Sequence, residues 1–365
     1  MSSVPDSLDT RPSPLRPRDN QSLRDIRELT LTELEEVVVN AGERSFRARQ
    51  VMNRLWKHSV ESFDAMHEVP AALRSFLKEN FTLGSPLAVH VARSQDDTRK
   101  LLLRFGDAEE VESVLIPAED RTTLCISSQA GCAMACPFCA TARMGLHRNL
   151  AAGEILAQVL AAQRHLDPDE KLTNYVFMGM GEPLANYTRL SRALTVMTSD
   201  WGMDLSPRRI TVSTVGLIPV MARLLTDFQV NLAVSLHATT DEVRNRLAPI
   251  NRRYPLDSLL ETCRNLPMQR RRRITFEYVM LEGVNDSVDD ARRLVRMLES
   301  MRAKVNLIFF NPFPGAGFRP SSRERIEAFR AILHRGNLTA TIRESRGVDI
   351  AAACGQLYAD RHPRE

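Results

Sequence analysis

No stretch of this chain approaches the ~20 apolar residues that a membrane-spanning helix needs, so the sequence offers no transmembrane segment. Residues Met1 to Ser22 hold four prolines and several charges but no apolar core, which excludes a secretory signal and reads as a disordered leader. Neither sign of charge dominates. The 49 Lys and Arg against 45 Asp and Glu leave a formal net charge of +4, which permits nucleic-acid binding without demonstrating it. There is no disulfide framework among the six cysteines, so a reducing cytoplasm is the expected compartment. Nothing reads as a coiled coil or an exposed dimer stripe, and a monomer is expected. The remaining composition, 43% hydrophobic and 26% charged over 365 residues, suits one large α/β domain with a smaller companion.

From Ser22 to about Phe81 the pattern is helical. Thr30 with Glu33 three residues on predicts a helix start, with Leu31, Leu34, Val37 and Val38 as the apolar face. A second helix begins at Ser45, with Phe46, Val51, Leu55 and Trp56 apolar against Arg47, Arg49, Arg54 and Lys57. A third follows Pro70. The basic residues suit either a solvated face or an RNA contact. The period then changes to two, predicting strands over 87–92, 100–105 and 111–116.

After Thr122 strands and helices alternate. Candidate strands are 123–127, 174–178, 209–214, 231–236, 274–280 and 305–310, with helical patterns such as 153–166, 190–199 and 289–301 between them. Such alternation implies parallel strands joined by right-handed crossovers, with a site at their carboxyl ends. The boundaries that follow are a leader at 1–22, a helical module at 23–84, a β linker at 85–117, a core at 118–349 and a C-terminal segment at 350–365.

Three cysteines, Cys132, Cys136 and Cys139, fall within eight residues just after the first strand of that core. Neighbouring thiolates can converge on one ion or cluster, which suits a metal better than disulfides. Zinc calls for a fourth Cys or His at matching spacing. His147 is the nearest candidate, and it reads better as a helix-end or RNA-facing residue. Three thiolates suit a [4Fe-4S] cluster with one iron left free of protein ligands, and a small zinc knuckle is the competing reading.

The Cys-x3-Cys-x2-Cys spacing, with Phe138 before the last cysteine, resembles the radical S-adenosylmethionine (SAM) signature. Gly179-Met180-Gly181-Glu182 follows one strand–helix unit later and resembles the superfamily's "GGE" element, which holds the amino group of SAM. The resemblance implies a [4Fe-4S] cluster, SAM on its open iron, and a partial (βα)6 TIM-like barrel with a small N-terminal helical domain and a short β extension. Ser213, the Ser235-Leu236-His237 run and Asn311 stand at predicted strand ends, where SAM contacts are expected.

Taken with Thr123 to Cys139, Arg148-Asn149-Leu150, Pro249-Ile250-Asn251, Asn311 to Gly315 and the segment around Cys354, the chain resembles the RlmN family from about Leu23 to Leu357. It departs from the family at Val348 and Ala351, where acids are expected. That family methylates carbon 2 of adenosine in 23S rRNA, at the peptidyl-transferase centre, and in tRNA, just 3′ of the anticodon. The resemblance implies that Cys354 takes a methyl group from one SAM, while a second SAM supplies a radical that activates this methyl. A transient covalent link to RNA follows, and Cys125 resolves it by forming a disulfide with Cys354. Glu112 matches the proposed proton acceptor, and an electron donor must serve the cluster. Cys263 has no partner motif and is expected to be structural.

Carbon 2 of adenine is electron-poor and cannot attack a SAM methyl as a nucleophile, which is why a radical route is required. The target must be unpaired or flipped out, because stacking hides that carbon. Arg270 to Arg273 is the densest basic run and a candidate phosphate contact. Two rivals remain: a Cfr-like enzyme acting at carbon 8 with the same cysteines, and a non-catalytic iron–sulfur or zinc RNA-binding protein.

Overall fold

The helices of the N-terminal module are α1 (Leu31–Asn40), α2 (Phe46–Trp56) and α3 (Ala71–Asn80). A computed structural model describes residues 23–84, 87–269 and 271–358; the leader expected at 1–22 and Arg270 of the basic run lie outside the described residues. Helix α1 starts where expected, in a reciprocal cap. The Glu33 N–H donates to Thr30 Oγ1 (3.1 Å) and the Thr30 N–H donates to Glu33 Oε2 (2.7 Å). Leu34, Val38, Val51, Leu55, Trp56, Leu73 and Leu77 are buried, as the helical spacing predicts. Phe46 is the exception. It is exposed, and the Arg47 guanidinium lies over its ring at 4.8 Å. The basic residues of α2 are paired with acids: Arg47 with Glu43, Arg54 with Glu68, Arg49 with Asp200 and Lys57 with Asp204. The last two pairs link the module to the main domain.

Ten strands form one sheet among the described residues, and their spatial order is their chain order. Strands β1 (Leu87–Arg93), β2 (Arg99–Arg104), β3 (Glu110–Ala118) and β4 (Arg121–Cys125) pair antiparallel. Strands β5 (Leu172–Phe177), β6 (Ile210–Thr214), β7 (Asn231–Ser235), β8 (Ile274–Met280), β9 (Ala303–Phe309) and β10 (Thr339–Arg343) then continue parallel to β4. Sequential parallel pairing with helical crossovers is the winding of a partial TIM-like barrel. The crossovers are α4 (Ala152–Gln163), α5 (Tyr187–Thr198), α6 (Ile218–Asp227), α7 (Asp241–Leu247), α8 (Leu256–Asn265), α9 (Val288–Leu298) and α10 (Arg323–Arg335). No helix among the described residues is long and apolar enough to cross a membrane.

The six expected core strands are all present. A seventh parallel strand, β10, was not foreseen. It lies at the sheet edge with Thr339 and Thr341 exposed, so it lacks the continuous apolar run of a covered strand. Strand β8 is the opposite case: every residue of Ile274 to Met280 is buried. Strand β4 ends two residues before its expected limit. Ser127 leaves the ladder because its N–H donates to Gln158 Oε1 of α4 and its hydroxyl to the Glu112 carbonyl.

Arg244 of α7 is fully buried and ties the carboxyl ends of two strands together. It donates to the carbonyls of Val215 (2.8 Å), Ser235 (3.2 Å) and Leu236 (3.1 Å), and to Asn251 Oδ1 (2.8 Å). Asn251 in turn donates to Asp241 and Asn245, which explains the Pro249-Ile250-Asn251 motif as a brace on this arginine. Replacing Arg244 by Met would strand these buried acceptors, so Arg244→Met is expected to lower stability by about 3–5 kcal/mol. Urea denaturation of the two proteins measures it, and a change below about 1 kcal/mol would contradict this role.

Candidate active site

The cysteine loop leaves the sheet through a short hairpin, in which Gln129–Gly131 pairs antiparallel with Leu146–Asn149. Gly131 is required here: its φ is +73°, and a Cβ would lie 1.9 Å from the Gly145 carbonyl oxygen. The Cys132 N–H donates to that same oxygen at 2.7 Å, which closes the loop. His147 belongs to the returning strand of the hairpin, not to a helix end, and its Nδ1 pairs with Glu109 at 3.1 Å. It is therefore not a fourth ligand for the cysteines in this arrangement.

Cys132, Cys136 and Cys139 line one side of a cavity at the carboxyl ends of the parallel strands. The cavity holds about 990 Å³ of empty space, counting its open mouth. Burial pushes the Cys132 thiol up to about 12 and raises Cys136 and Cys139 as well, with the neighbouring thiols adding to the effect on Cys136. Such groups become thiolates only when a metal takes their protons. No three His, Cys, Asp or Glu side chains among the described residues are gathered tightly enough for a single metal ion. A cluster places its thiolates on separate irons, and the three buried cysteines that line this cavity fit a [4Fe-4S] group.

Glu182 faces the cavity at the end of β5, 4% exposed, and accepts from the N–H groups of Val215 (2.8 Å) and Leu184 (3.1 Å). Gly181 makes that placement possible, with φ +96° and the Gln129 side chain 2.5 Å from where a Cβ would stand. Burial raises the Glu182 carboxyl to about 7. Ser213 and Ser235 line the same cavity, as expected from their strand-end positions. His237 does too, with φ +59° and its ring edge-on to Phe138 at 4.8 Å. Burial lowers its pKa to about 3, so the imidazole is neutral. The Val279 N–H donates to Nδ1 at 3.1 Å, which leaves the ring proton on Nε2. Leu236 lies between these two residues but is not on the cavity wall. Its side chain is fully buried in the core.

A second, smaller cavity adjoins the first, and Cys354 lines both. Cys125 lines the second one, together with Asn311. Burial pushes the Cys125 thiol up to about 12. Asn311 Nδ2 donates to the Cys354 carbonyl at 3.2 Å, so this side chain holds the cysteine's own backbone. Glu112 lies outside both walls. Its carboxylate pairs with Lys100 at 2.8 Å and accepts from the Tyr358 N–H at 2.8 Å. Cys263 is buried in α8, away from both cavities.

Two charged residues on these walls were not expected from the sequence. Arg343 borders both cavities, and the surrounding Cys354, Glu277 and Cys125 favour its charged form. It ends the unforeseen strand β10, so no pattern marked it. Glu277 interrupts the apolar strand Ile274 to Met280, a signal that was visible but unused. It lines the first cavity and accepts from Asn306 at 3.0 Å on Oε1. Its Oε2 is buried and has no hydrogen-bond partner among the described residues. The basic run went the other way: Arg272 and Arg273 precede β8 and bond Asn231 and Thr339, at the strand ends opposite the cavity.

A carboxylate raised to about 7 is ionised only above that pH, and an ammonium ligand binds the ionised form. SAM affinity is therefore expected to fall as the pH drops below about 7. Glu182→Gln is expected to weaken binding about tenfold or more and to flatten that pH dependence. Equilibrium SAM binding measured over roughly three pH units centred near that pKa checks both. Equal affinity of the variant and wild type across the range would contradict the role of Glu182.

Comparison with known proteins identifies the chain's family. The radical SAM superfamily model matches residues 126–295, and the ribosomal RNA large subunit methyltransferase N-terminal domain model matches residues 24–83. The chain is 51% identical over 335 residues to the dual-specificity RNA methyltransferase RlmN of Geobacter sulfurreducens, covering 91% of each chain. It is 50% identical over 345 residues to the protein of that name from Anaeromyxobacter dehalogenans, covering 93% of each. A solved radical SAM methyltransferase from Sphaerobacter thermophilus superposes with a TM-score of 0.88 at 46% identity, over 92% of this chain and 100% of that one. The chain belongs to the RlmN family of radical SAM methyltransferases.

Proposed function

We propose that this enzyme methylates carbon 2 of adenosine in 23S rRNA and in tRNA, with Cys354 carrying the methyl group. The observation that carries the reading is the position of Cys354. It faces the cavity of the three cysteines and Glu182 on one side and the cavity of Cys125 on the other. One residue can thus take a methyl group in the first setting and be released by a thiol in the second.

Cys132, Cys136 and Cys139 would hold the cluster, and Glu182, Ser213, Ser235 and His237 would surround SAM. Bound there, these groups supply one electron and a hydrogen-abstracting radical, chemistry that no side chain provides. Two SAM molecules are used per turnover, one for the methyl group and one for the radical. Cys354 first displaces the SAM methyl as a sulfur nucleophile, forming a carbon–sulfur bond as S-adenosylhomocysteine leaves. After the methyl carbon joins the adenine ring, Glu112 takes the proton from carbon 2, and the odd electron left on the adduct would return to the cluster held by the three cysteines. The Cys125 thiolate then attacks the Cys354 sulfur and breaks its bond to the transferred carbon; that carbon leaves with the electron pair and takes up a proton, which frees methylated RNA and leaves a disulfide. Reduction of that disulfide, by a donor suited to the cytoplasm, precedes the next turnover. Arg343 borders both cavities, and its charge opposes the effect of burial on the Cys125 thiol.

Anaerobic reconstitution with reductant, labelled SAM and rRNA or tRNA fragments tests the reading by mass spectrometry. The expected products are 2-methyladenosine and 5′-deoxyadenosine. Appearance of 8-methyladenosine would reject carbon 2, and neither product from cluster-loaded protein would reject the methyltransferase chemistry. Cys125→Ala is expected to keep Cys354 methylation, accumulate a covalent protein–RNA species and release methylated RNA about a hundredfold more slowly or worse. Free product at the wild-type rate would remove Cys125 from the mechanism.

A further inference from the structure

The segment that carries Cys354 crosses back over the open ends of the strands and is tied at several points. The Gly347 N–H donates to Asp96 (3.0 Å), the Ala140 N–H to the Gly355 carbonyl (2.7 Å) and the Thr141 hydroxyl to the Leu357 carbonyl (2.6 Å). One further tie differs in kind, because it is made by a charged pair. Lys100 on β2 and Glu112 on β3 are diagonal neighbours on one face of the sheet, since Lys100 pairs with Val114 and Leu102 with Glu112. Their charges are 2.8 Å apart, with side chains only 16% and 5% exposed. Lys100 Nζ also donates to the Ala351 carbonyl at 3.3 Å, and Glu112 Oε2 accepts from the Tyr358 N–H at 2.8 Å. Ala351 lies three residues before Cys354 and Tyr358 four residues after it. Ala351 also has φ +51°, a conformation that a non-glycine residue keeps only when its surroundings hold it there.

We propose that Lys100 is a positioning residue for methyl transfer: its ammonium holds one end of the loop that presents Cys354 directly and, by orienting the Glu112 carboxylate, holds the other end through it. This rests on the reading in which Cys354 carries the methyl group and Glu112 takes the proton. An exposed ion pair would contribute little, whereas this one is nearly dry and engages the loop backbone on both sides of the cysteine. Methionine at position 100 would leave Glu112 without its counter-ion and Ala351 without its donor. Arginine would retain a donor to both. Proton transfer to Glu112 would weaken the same tie at the stage when Cys125 must reach the Cys354 sulfur.

Two measurements on the full-length, cluster-loaded protein test the proposal. Hydrogen–deuterium exchange without substrate is expected to show amides of 347–358 exchanging about tenfold faster or more in Lys100→Met. Exchange in the cysteine loop and in α1–α3 stays as in wild type, and Lys100→Arg restores the loop. In single turnover, Lys100→Met is expected to release RNA from the covalent species about tenfold more slowly or worse, with rescue by arginine. Wild-type exchange and release in Lys100→Met would overturn the proposal. So would a loss of cluster and protection throughout the barrel, or failure of arginine to restore release. If wild-type protein methylates neither Cys354 nor RNA, the functional reading falls, and the exchange experiment alone still decides whether Lys100 holds the loop.

Discussion

Burial of polar groups at the carboxyl ends of parallel strands is the constraint on which the site depends. Parallel strands end together, and their loops must satisfy backbone groups without access to water. Arg244 does this for three carbonyls on two successive strand ends, and Asn251 holds the arginine in turn. Val215 and Ser235, whose carbonyls Arg244 binds, stand on the cavity wall. The wall facing a ligand is therefore as rigid as the brace behind it.

That dry setting also determines the charge state of the wall. Burial raises Glu182 to about 7, raises Glu277 and lowers His237 to about 3, so each is shifted toward its neutral form. SAM has a sulfonium and an ammonium, and either cation would favour ionised carboxylates beside it. The thiols of the cysteine loop follow the same logic toward a metal. The cavity is thus better suited to a cationic ligand and a cluster than to an anion.

The C-terminal segment adds a second layer to this barrel mouth. It is held through Asn311, Thr141, Asp96 and the Lys100–Glu112 pair, contributed by strands or loops far apart in sequence. Its cysteine lines both cavities. Antiparallel strands β1 to β3 have a role here beyond extending the sheet, because β2 and β3 supply the charges that grip the segment.

Much of this was legible in the residue pattern. Cysteine spacing, the Gly181-Glu182 turn, the period change near residue 87 and the six strand–helix units are local features, determined by chain geometry and hydrophobic period. Strand β10 was not legible, because an edge strand with one solvated face carries too few apolar residues to stand out. Phe46, read as part of an apolar helix face, is exposed, because helical spacing selects a face without showing that anything covers it. Glu277 and Arg343 become neighbours of Cys354 only when β8 and β10 take their places in the sheet. The roles of Lys100 and of Asn311 toward the Cys354 loop are likewise matters of tertiary structure. Their partners lie more than two hundred and about forty residues away, respectively, and no local pattern reports contacts at such separations. The sequence by itself determined the chemistry-bearing groups and the barrel that orders them. Only the folded chain decided which of those groups meet, because that depends on the closing of long loops and the burial of charge.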